Sequence, residues 1–135
     1  MSDRAPIRLL LVEDQPTILE KQRRLLEGFP ELQIVGAARD GASALRLVRE
    51  LSPEVVLLDL GLPDMSGIEV TRQLKASGGH VEILIFTIFE EEEGVLEAVR
   101  AGASGYLLKG TPAAKIVEAI AEVHRGGTVI QPRLA

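Results

Sequence analysis

The sequence predicts a doubly wound α/β domain, in which helices cover both faces of one parallel β-sheet. Three observations lead to this prediction. Five short apolar segments are rich in β-branched residues, the segments between them show the apolar spacing of helices, and the two kinds alternate strictly along the chain. Strict alternation requires right-handed crossovers between parallel strands. The 135 residues are enough for one such domain with a well-covered core.

Each predicted strand has the length and composition of a buried β-strand. The five segments are Ile7–Val12, Leu32–Ala38, Val55–Leu58, 83–86 and Gly105–Leu108. The first, third and fourth are almost continuously apolar, as central strands are, whereas the second and fifth carry polar or small residues and are predicted as the edges. This pattern fits the strand order 2-1-3-4-5 of the flavodoxin-like (βα)5 fold, whose ligand crevice lies where strands one and three part.

The segments between the strands carry apolar residues at helical spacing. These residues are Ile18, Leu25 and Phe29; Ala44, Leu45, Val48 and Leu51; Val70 and Leu74; Val95 and Val99; and Ile116, Val117, Ile120 and Val123. Pro16 and Pro112 are predicted to lie in first turns, and Ser66 has a capping-box spacing to Glu69. After the fifth helix, two glycines break the pattern. We therefore predict one domain over residues 5–125 and the start of a linker or tail, leading toward a further domain, over residues 126–135.

The composition excludes several classes of function. Fifteen Lys and Arg against 20 Asp and Glu give a net charge of −5, the wrong sign for direct binding of nucleic acid. Cysteine is absent, and His80 and His124 are too far apart in sequence for a paired metal-ligand motif. No apolar segment approaches the roughly 20 residues of a membrane span, and no signal-peptide core is present. A cytoplasmic protein without membrane contact is expected.

Reactive side chains directly follow four of the predicted strands. Glu13 and Asp14 follow the first strand, Asp59 the third, Thr87 the fourth and Lys109 the fifth. Because the carboxyl ends of parallel strands lie along one edge of the sheet, these side chains are expected to be neighbours. Taken singly, the acids could cap a helix, the threonine could favour a strand and the lysine could be solvated. Their joint placement favours a functional site.

Three carboxylates in one crevice predict a hard divalent cation, because the acids repel one another unless a cation is present. Mg²⁺ is the expected ion. Asp59 and Asp14 are predicted as direct ligands together with the backbone carbonyl of Gly61, and Glu13 is predicted to act through water. With its charge screened, one oxygen of Asp59 can attack a phosphoryl group and form an acyl phosphate.

The other two side chains suit the product of that reaction. A phosphoryl group on Asp59 presents oxygens with nearly two negative charges. The ammonium of Lys109 can pair with these oxygens, and the hydroxyl of Thr87 can donate a hydrogen bond to them. Both residues are therefore predicted to sense the modification.

Four segments resemble the receiver domains of two-component response regulators. They are LLVEDQP at 10–16, VLLDLGLPDMSG at 56–67, FT at 86–87 and GASGYLLK at 102–109, and together with their predicted strands they extend along nearly the whole chain. The resemblance implies a histidine kinase that donates a phosphoryl group to Asp59, with Mg²⁺ as cofactor. It also implies a switch in which Thr87 moves toward the phosphoryl group and Tyr106 turns inward.

The same resemblance implies an output. The fourth helix, fifth strand and fifth helix would form the output face, and a homodimer would use that face or the first and fifth helices. The spacing around Phe29, the segment 102–109 and the two glycines at 126–127 are similar to the subfamily whose receiver precedes a helix-turn-helix DNA-binding domain. DNA would be bound only through such a domain. The expected function is a switch that controls transcription, with no enzymatic activity beyond its own phosphorylation and dephosphorylation.

Two departures and two alternatives accompany this interpretation. Ile88 stands where the family usually has a small residue and is predicted to slow phosphotransfer or dephosphorylation, and Gly110 stands where many relatives have proline. One alternative is a pseudo-receiver that only binds partners, for which the acidic pocket would be degraded. The other is an aspartyl-phosphate phosphatase of the haloacid-dehalogenase kind, which would place a second Asp where this chain has Gly61.

Overall fold

A computed structural model of the protein describes residues 5–89 and 91–131, and strands and helices alternate through them. The elements in chain order are β1 (Ile7–Val12), α1 (Pro16–Glu27), β2 (Leu32–Ala38), α2 (Gly41–Leu51), β3 (Val55–Leu58), α3 (Gly67–Ala76), β4 (Glu82–Thr87), α4 (Glu92–Ala101), β5 (Gly105–Leu108), α5 (Ala113–His124) and β6 (Val129–Ile130). The predicted alternation is confirmed. The fourth strand is one residue longer at each end than predicted.

The sheet is parallel throughout and has the order β2-β1-β3-β4-β5-β6. The predicted order 2-1-3-4-5 and the flavodoxin-like doubly wound α/β fold are therefore confirmed. The prediction that β5 is an edge strand is wrong, because Val129–Ile130, inside the segment predicted as a linker or tail, pairs with it. Gly105 explains the error: a Cβ there would lie 2.9 Å from the carbonyl oxygen of Val129, so the small residue allows another strand to approach.

The core consists of two apolar layers, one on each face of the sheet. Leu9 and Leu11 of β1 belong to the layer beneath α1 and α5, whereas Leu10 and Val12 belong to the layer on the opposite face. Successive residues of a strand point to opposite faces, so a central strand buried on both faces must be apolar at every position. Burying each such leucine contributes about 1.5–3 kcal/mol, and β1 is consequently a fixed support for the residues that follow it.

The helices begin largely where the local signals predict. Pro16 is the first residue of α1, and Pro112 lies just before α5 instead of in its first turn. The hydroxyl of Ser66 accepts the backbone N–H of Glu69 at 3.2 Å, which confirms the predicted cap of α3. In the described part of the chain, no helix has the length and apolar character needed to cross a membrane.

Candidate functional site

Asp59 lies at the carboxyl end of β3, between the ends of β1 and β4. Its backbone N–H donates to the carbonyl of Val12 at 3.1 Å, which ties it to the end of β1. Behind it, α3 begins so close that a Cβ on Gly67 would lie 2.5 Å from the carbonyl oxygen of Asp59. The residue is 8% exposed, so its carboxylate lies in a nearly covered position with its backbone held on both sides.

Lys109 joins two acids that are far apart in sequence. Its Nζ lies 3.2 Å from Oδ2 of Asp59 and also forms an ion pair with Oε1 of Glu13. Glu13 is only 1% exposed, and its second carboxylate oxygen accepts the N–H of Gln15 at 3.0 Å. The structure therefore brings Glu13, Asp59 and Lys109 together as predicted. A buried carboxylate is tolerated only with such partners, because isolated charge is costly to bury.

The remaining predicted metal ligands lie on the rim of this cluster. Asp14 is half-buried, and its carbonyl accepts Nε of Arg39 at 3.2 Å. A Cβ built on Gly61 would lie 4.0 Å from Oδ2 of Asp59, so residue 61 lies next to the carboxylate. Within residues 5–89 and 91–131, no three His, Cys, Asp or Glu side chains group closely enough to hold a metal ion. The predicted set of metal ligands stays a prediction.

The acidic side chains around Asp59 nevertheless offer the kind of ligand atoms that a hard cation prefers. The acids Glu13, Asp14 and Asp59 supply only oxygen atoms, and the single ammonium of Lys109 offsets one of their three charges. Magnesium prefers oxygen ligands and retains several waters, so it needs few direct protein ligands. An excess of negative charge on oxygen atoms is consistent with that requirement.

Thr87 and Tyr106 are connected through Phe89, a residue of the β4–α4 loop. Thr87, the last residue of β4, is fully buried, and its hydroxyl oxygen accepts the N–H of Phe89 at 3.4 Å. The hydroxyl of Tyr106 donates to the carbonyl of the same Phe89 at 2.7 Å. The backbone of Thr87 in turn accepts the N–H of Lys109 at 2.8 Å. The two predicted switch residues therefore hold one loop residue from its two sides.

Tyr106 already faces inward and is 1% exposed. Loss of hydration on burial, reinforced by the negative charges of Glu91 and Asp59, raises the pKa of the Tyr106 hydroxyl to about 12. The hydroxyl is therefore a proton donor at neutral pH, as its hydrogen bond to Phe89 requires. Its predicted role as a switch stays a prediction.

Phe89 is a site residue that sequence reasoning did not find. Its ring lies beside Gly61, 3.8 Å from the position that a Cβ there would occupy, and Gly61 is itself next to the Asp59 carboxylate. Ile88, the residue predicted to restrict access, is instead 70% exposed. The available signal was a large aromatic residue two positions after Thr87 in a chain with only three phenylalanines.

Asp64 is a second residue that was not singled out. Its carboxylate accepts the N–H groups of Gly41 at 2.7 Å and Ala42 at 2.9 Å, at the start of α2. These two hydrogen bonds lower the pKa of the Asp64 carboxyl below its usual value, and the contact fastens the β3–α3 loop, which contains Gly61, to a neighbouring helix. An acid two residues before a helix cap suggests a turn, but sequence alone does not indicate a different helix as its partner.

Residues 9–121 match the family model described as the response regulator receiver domain. The chain belongs to this family. Curated relatives agree with the match: this receiver domain is 38% identical over 95% of its length to the transcriptional regulatory protein LnrK of Bacillus subtilis. It is 31% identical over 99% of its length to the nitrate/nitrite response regulator protein NarL of Escherichia coli. The chain spans 58% of the first relative and 62% of the second, so these relatives are longer proteins.

Solved structures show the same likeness. A two-component response regulator of the LuxR family from Aurantimonas superposes on the receiver domain with a TM-score of 0.91 and 39% identity, covering 96% of this chain and 93% of that one. The signal receiver domain of the putative response regulator NarL from Mycobacterium tuberculosis gives a TM-score of 0.88 and 31% identity, covering 91% and 99%. Fold and family therefore agree with the predicted resemblance.

Proposed function

We propose that Asp59 is the phosphoacceptor of a switch that a histidine kinase controls. The observation that carries the proposal is the placement of the Asp59 carboxylate beside the ammonium of Lys109, at the crevice between β1 and β3. In this position an attacking carboxylate oxygen and a cation that can pair with the incoming phosphoryl group are already adjacent. The chain's membership of the receiver family supports the proposal.

Phosphotransfer forms a bond between phosphorus and an oxygen of Asp59 and breaks the bond from phosphorus to the donor atom. The donor atom is a nitrogen in a phosphorylated kinase histidine, or an oxygen in acetyl phosphate. Lys109 and the hydroxyl of Thr87 then contact the phosphoryl oxygens. In our proposal Asp59, Asp14 and the Gly61 carbonyl hold Mg²⁺ directly and Glu13 holds it through water. When bound, the ion screens the negative charge of the donor and of the carboxylate.

The conformational signal is proposed to leave the site through the β4–α4 loop. In our proposal Thr87 rotates its hydroxyl toward the phosphoryl group and thereby gives up the hydrogen bond that it accepts from the N–H of Phe89. Phe89 then loses one of its two hydrogen bonds to the switch residues and keeps the other, which its carbonyl accepts from the hydroxyl of Tyr106 in β5. Phosphorylation would in this way shift an equilibrium between two arrangements of the face formed by α4, β5 and α5.

The output in this proposal is transcription. The curated relatives named above are regulators and are longer than this chain, and a DNA-binding domain that follows the receiver would use the added length. The chain itself is acidic and would not bind DNA directly. A homodimer through the α4-β5-α5 face or through α1 and α5 is the proposed way to connect phosphorylation to that output.

Intact mass after incubation with acetyl phosphate and Mg²⁺ tests the assignment. The wild-type chain is expected to gain one phosphoryl group in a reaction that requires the metal ion, and Asp59→Asn is expected to gain none. Asp40→Asn is the matched control, because Asp40 caps α2 and asparagine caps a helix equally well.

Each other outcome contradicts the proposal in a recognisable way. Retention of the added mass in Asp59→Asn would show that another residue is the acceptor. A wild-type chain that neither acetyl phosphate nor a histidine kinase modifies would be a pseudo-receiver. Repeated turnover of a phosphate ester would identify an aspartyl-phosphate phosphatase.

A further inference from the structure

The segment that follows α5 returns to the sheet and pairs with β5, the strand that precedes Lys109. In β6, Val129 pairs with Gly105 and Ile130 with Tyr106, and the N–H of Val129 donates to the carbonyl of Ser104 at 3.1 Å. Because the pairing is parallel, the chain runs toward the carboxyl end of β5, where Lys109 is located. The side chains of Val129 and Ile130 each pack against one of the two core layers, so this short strand is anchored on both faces.

Gln131 continues this pairing with its side chain instead of its backbone. Its Oε1 accepts the N–H of Leu108 at 2.7 Å, the hydrogen bond that a backbone carbonyl would make if β6 were longer. Its Nε2 donates to the hydroxyl oxygen of Thr111 at 3.1 Å, and that hydroxyl donates to the carbonyl of Leu108 at 2.6 Å. One half-buried amide therefore closes a ring of hydrogen bonds around both backbone groups of Leu108.

This ring of hydrogen bonds encloses the turn from Leu108 to Thr111, which contains Lys109. Lys109 follows Leu108, and Gly110 has a positive φ of 99°, a conformation that turns the chain toward α5. On the β4 side, the N–H of Lys109 donates to Thr87 at 2.8 Å. The backbone at residues 108 and 109 is thus held by β4 on one side and by Gln131 on the other, and the Lys109 side chain extends from this position to Asp59.

We propose that Gln131 is a positioning residue for Lys109, and that it couples the segment after α5 to the state of Asp59. A group that orients a reacting side chain through a hydrogen-bonded backbone affects the reaction without touching the substrate. The coupling is reciprocal, because any change of Lys109 that phosphorylation favours also changes the hydrogen bonds around Leu108. Residue 131 directly follows β6, so phosphorylation would alter how β6 and the residues joined to it are attached to β5. This inference rests on the proposed phosphorylation of Asp59.

The first experiment needs no phosphorylation. Amide hydrogen exchange of Leu108 and Lys109 is measured by NMR in the wild-type chain, in Gln131→Met and in Gln131→Glu. Methionine has a similar length and volume but removes both hydrogen bonds, and it is expected to raise the exchange rate of Leu108 roughly two- to tenfold, the effect of one net hydrogen bond. Glutamate keeps an acceptor for that N–H and is expected to restore slow exchange. Thr128→Ala, an exposed position in the same segment, is the matched control.

The second experiment measures the rate of phosphorylation by acetyl phosphate in the same four proteins. Gln131→Met is expected to react roughly two- to tenfold more slowly than the wild type, while Gln131→Glu and Thr128→Ala react at the wild-type rate. Lower stability alone would not give this result, because a variant that keeps several kcal/mol of stability has a negligible unfolded fraction. Urea unfolding of each variant verifies that condition.

The outcomes separate this inference from the function on which it rests. Unchanged exchange of Leu108 in Gln131→Met would show that the ring of hydrogen bonds does not hold the turn, whatever happens at Asp59. Faster exchange with an unchanged phosphorylation rate would show that Gln131 has no positioning role. A wild-type chain that is never phosphorylated would overturn the proposed function, and the positioning role with it, but would leave the exchange result intact.

Discussion

Lys109 and Glu13 form an ion pair across 96 positions of sequence, and Glu13 is almost completely buried. The contact joins the end of β5 to the end of β1, on either side of Asp59. Lys109 is therefore needed for stability in addition to its proposed role in binding a phosphoryl group. The pair explains why an acid can occupy a position where only 1% of the residue contacts solvent.

Lys109→Met is expected to destabilise the fold by about 1–3 kcal/mol, because it leaves the Glu13 carboxylate buried without its cation. Adding Glu13→Gln to this variant is expected to recover part of the loss, since the remaining group is then neutral. Urea unfolding measures both differences. Lys115→Met, which removes an exposed pair with Glu118, is the control and is expected to change stability by less than about 0.5 kcal/mol. Equal losses in the two lysine variants would show that the buried pair contributes no more than a surface one.

Tyr106, proposed as a switch residue, is the single tyrosine of the chain, which permits a direct test of its environment. Because the folded environment raises the pKa of Tyr106 to about 12, the phenolate absorbance is expected to appear well above the value of about 10 found in the unfolded chain. Because Tyr106 ionises at a lower pH in the unfolded state, the free energy of unfolding is expected to fall as pH rises above about 10. Spectrophotometric titration in buffer and in urea gives both midpoints. A folded midpoint near that of the unfolded chain would contradict the buried, hydrogen-bonded position.

Tyr106→Phe separates the hydroxyl from the ring. The ring remains packed, while the carbonyl of Phe89 loses its donor, so stability is expected to fall by about 0.5–1.5 kcal/mol. If Tyr106 transmits the signal, phosphorylation of this variant should also produce a smaller change in the hydrogen exchange of α4 than it does in the wild type. An exchange response equal to that of the wild type would confine Tyr106 to a packing role.

The strand topology was enough to predict which residues meet at the site, but the sequence did not predict which loop side chain lies beside them. Parallel strands bring Glu13, Asp59 and Lys109 to one edge whatever their rotamers, and the apolar runs were sufficient to find that edge. The residues after Thr87 show the limit: Ile88 and Phe89 are both large, and only the path of the β4–α4 loop decides which of them lies beside Gly61. Gly105 shows another limit, because a small residue is compatible with an edge strand and with the close approach of a further strand.

Phe89→Ala is expected to accelerate phosphorylation by acetyl phosphate roughly two- to tenfold, because the ring lies beside Gly61, which is next to the Asp59 carboxylate. The phosphorylated form should also hydrolyse faster, since water gains the same access. Ile88→Ala is the matched control, and its exposed side chain predicts little change. The rates follow from intact mass against time. A larger effect at Ile88 than at Phe89 would show that Ile88 restricts access and that the Phe89 ring beside Gly61 does not.

Glu54, which lies just before the start of β3, should make the stability of the fold depend on pH. Oε1 of Glu54 accepts the N–H of Arg8 at 2.9 Å and Oε2 contacts Nε2 of His124 at 2.8 Å. The Arg8 hydrogen bond, followed by the contact with His124, lowers the pKa of the Glu54 carboxyl below its usual value of 4.5. A lowered folded pKa stabilises the fold at every pH above the unfolded value, and this contribution is lost as pH falls through the folded pKa.

Glu54→Gln should therefore be less stable than the wild type at neutral pH, and the difference should shrink as pH falls below about 4.5. Urea unfolding over a pH series measures the difference directly. Glu118→Gln, on the exposed side of α5, controls for the change in net charge. A difference that stays constant down to the lowest pH would show that the ionised carboxylate is not the stabilising form.

Gly67→Ala tests whether the first turn of α3 fixes the position of Asp59. The added methyl group would lie 2.5 Å from the carbonyl oxygen of Asp59 and 2.9 Å from Cα of Leu60, and these are backbone atoms that cannot rotate away. Overpacking of this kind costs about 1–3 kcal/mol, and any relief must move α3 or the end of β3. We therefore expect a loss of stability together with slower phosphorylation of Asp59. Gly79→Ala is the control, because its methyl group would come no closer than 4.0 Å to other atoms, and its effect should lie within about 1 kcal/mol of zero. Unfolding of Gly67→Ala at the same urea concentration as Gly79→Ala would contradict the close approach of α3 to the backbone of Asp59.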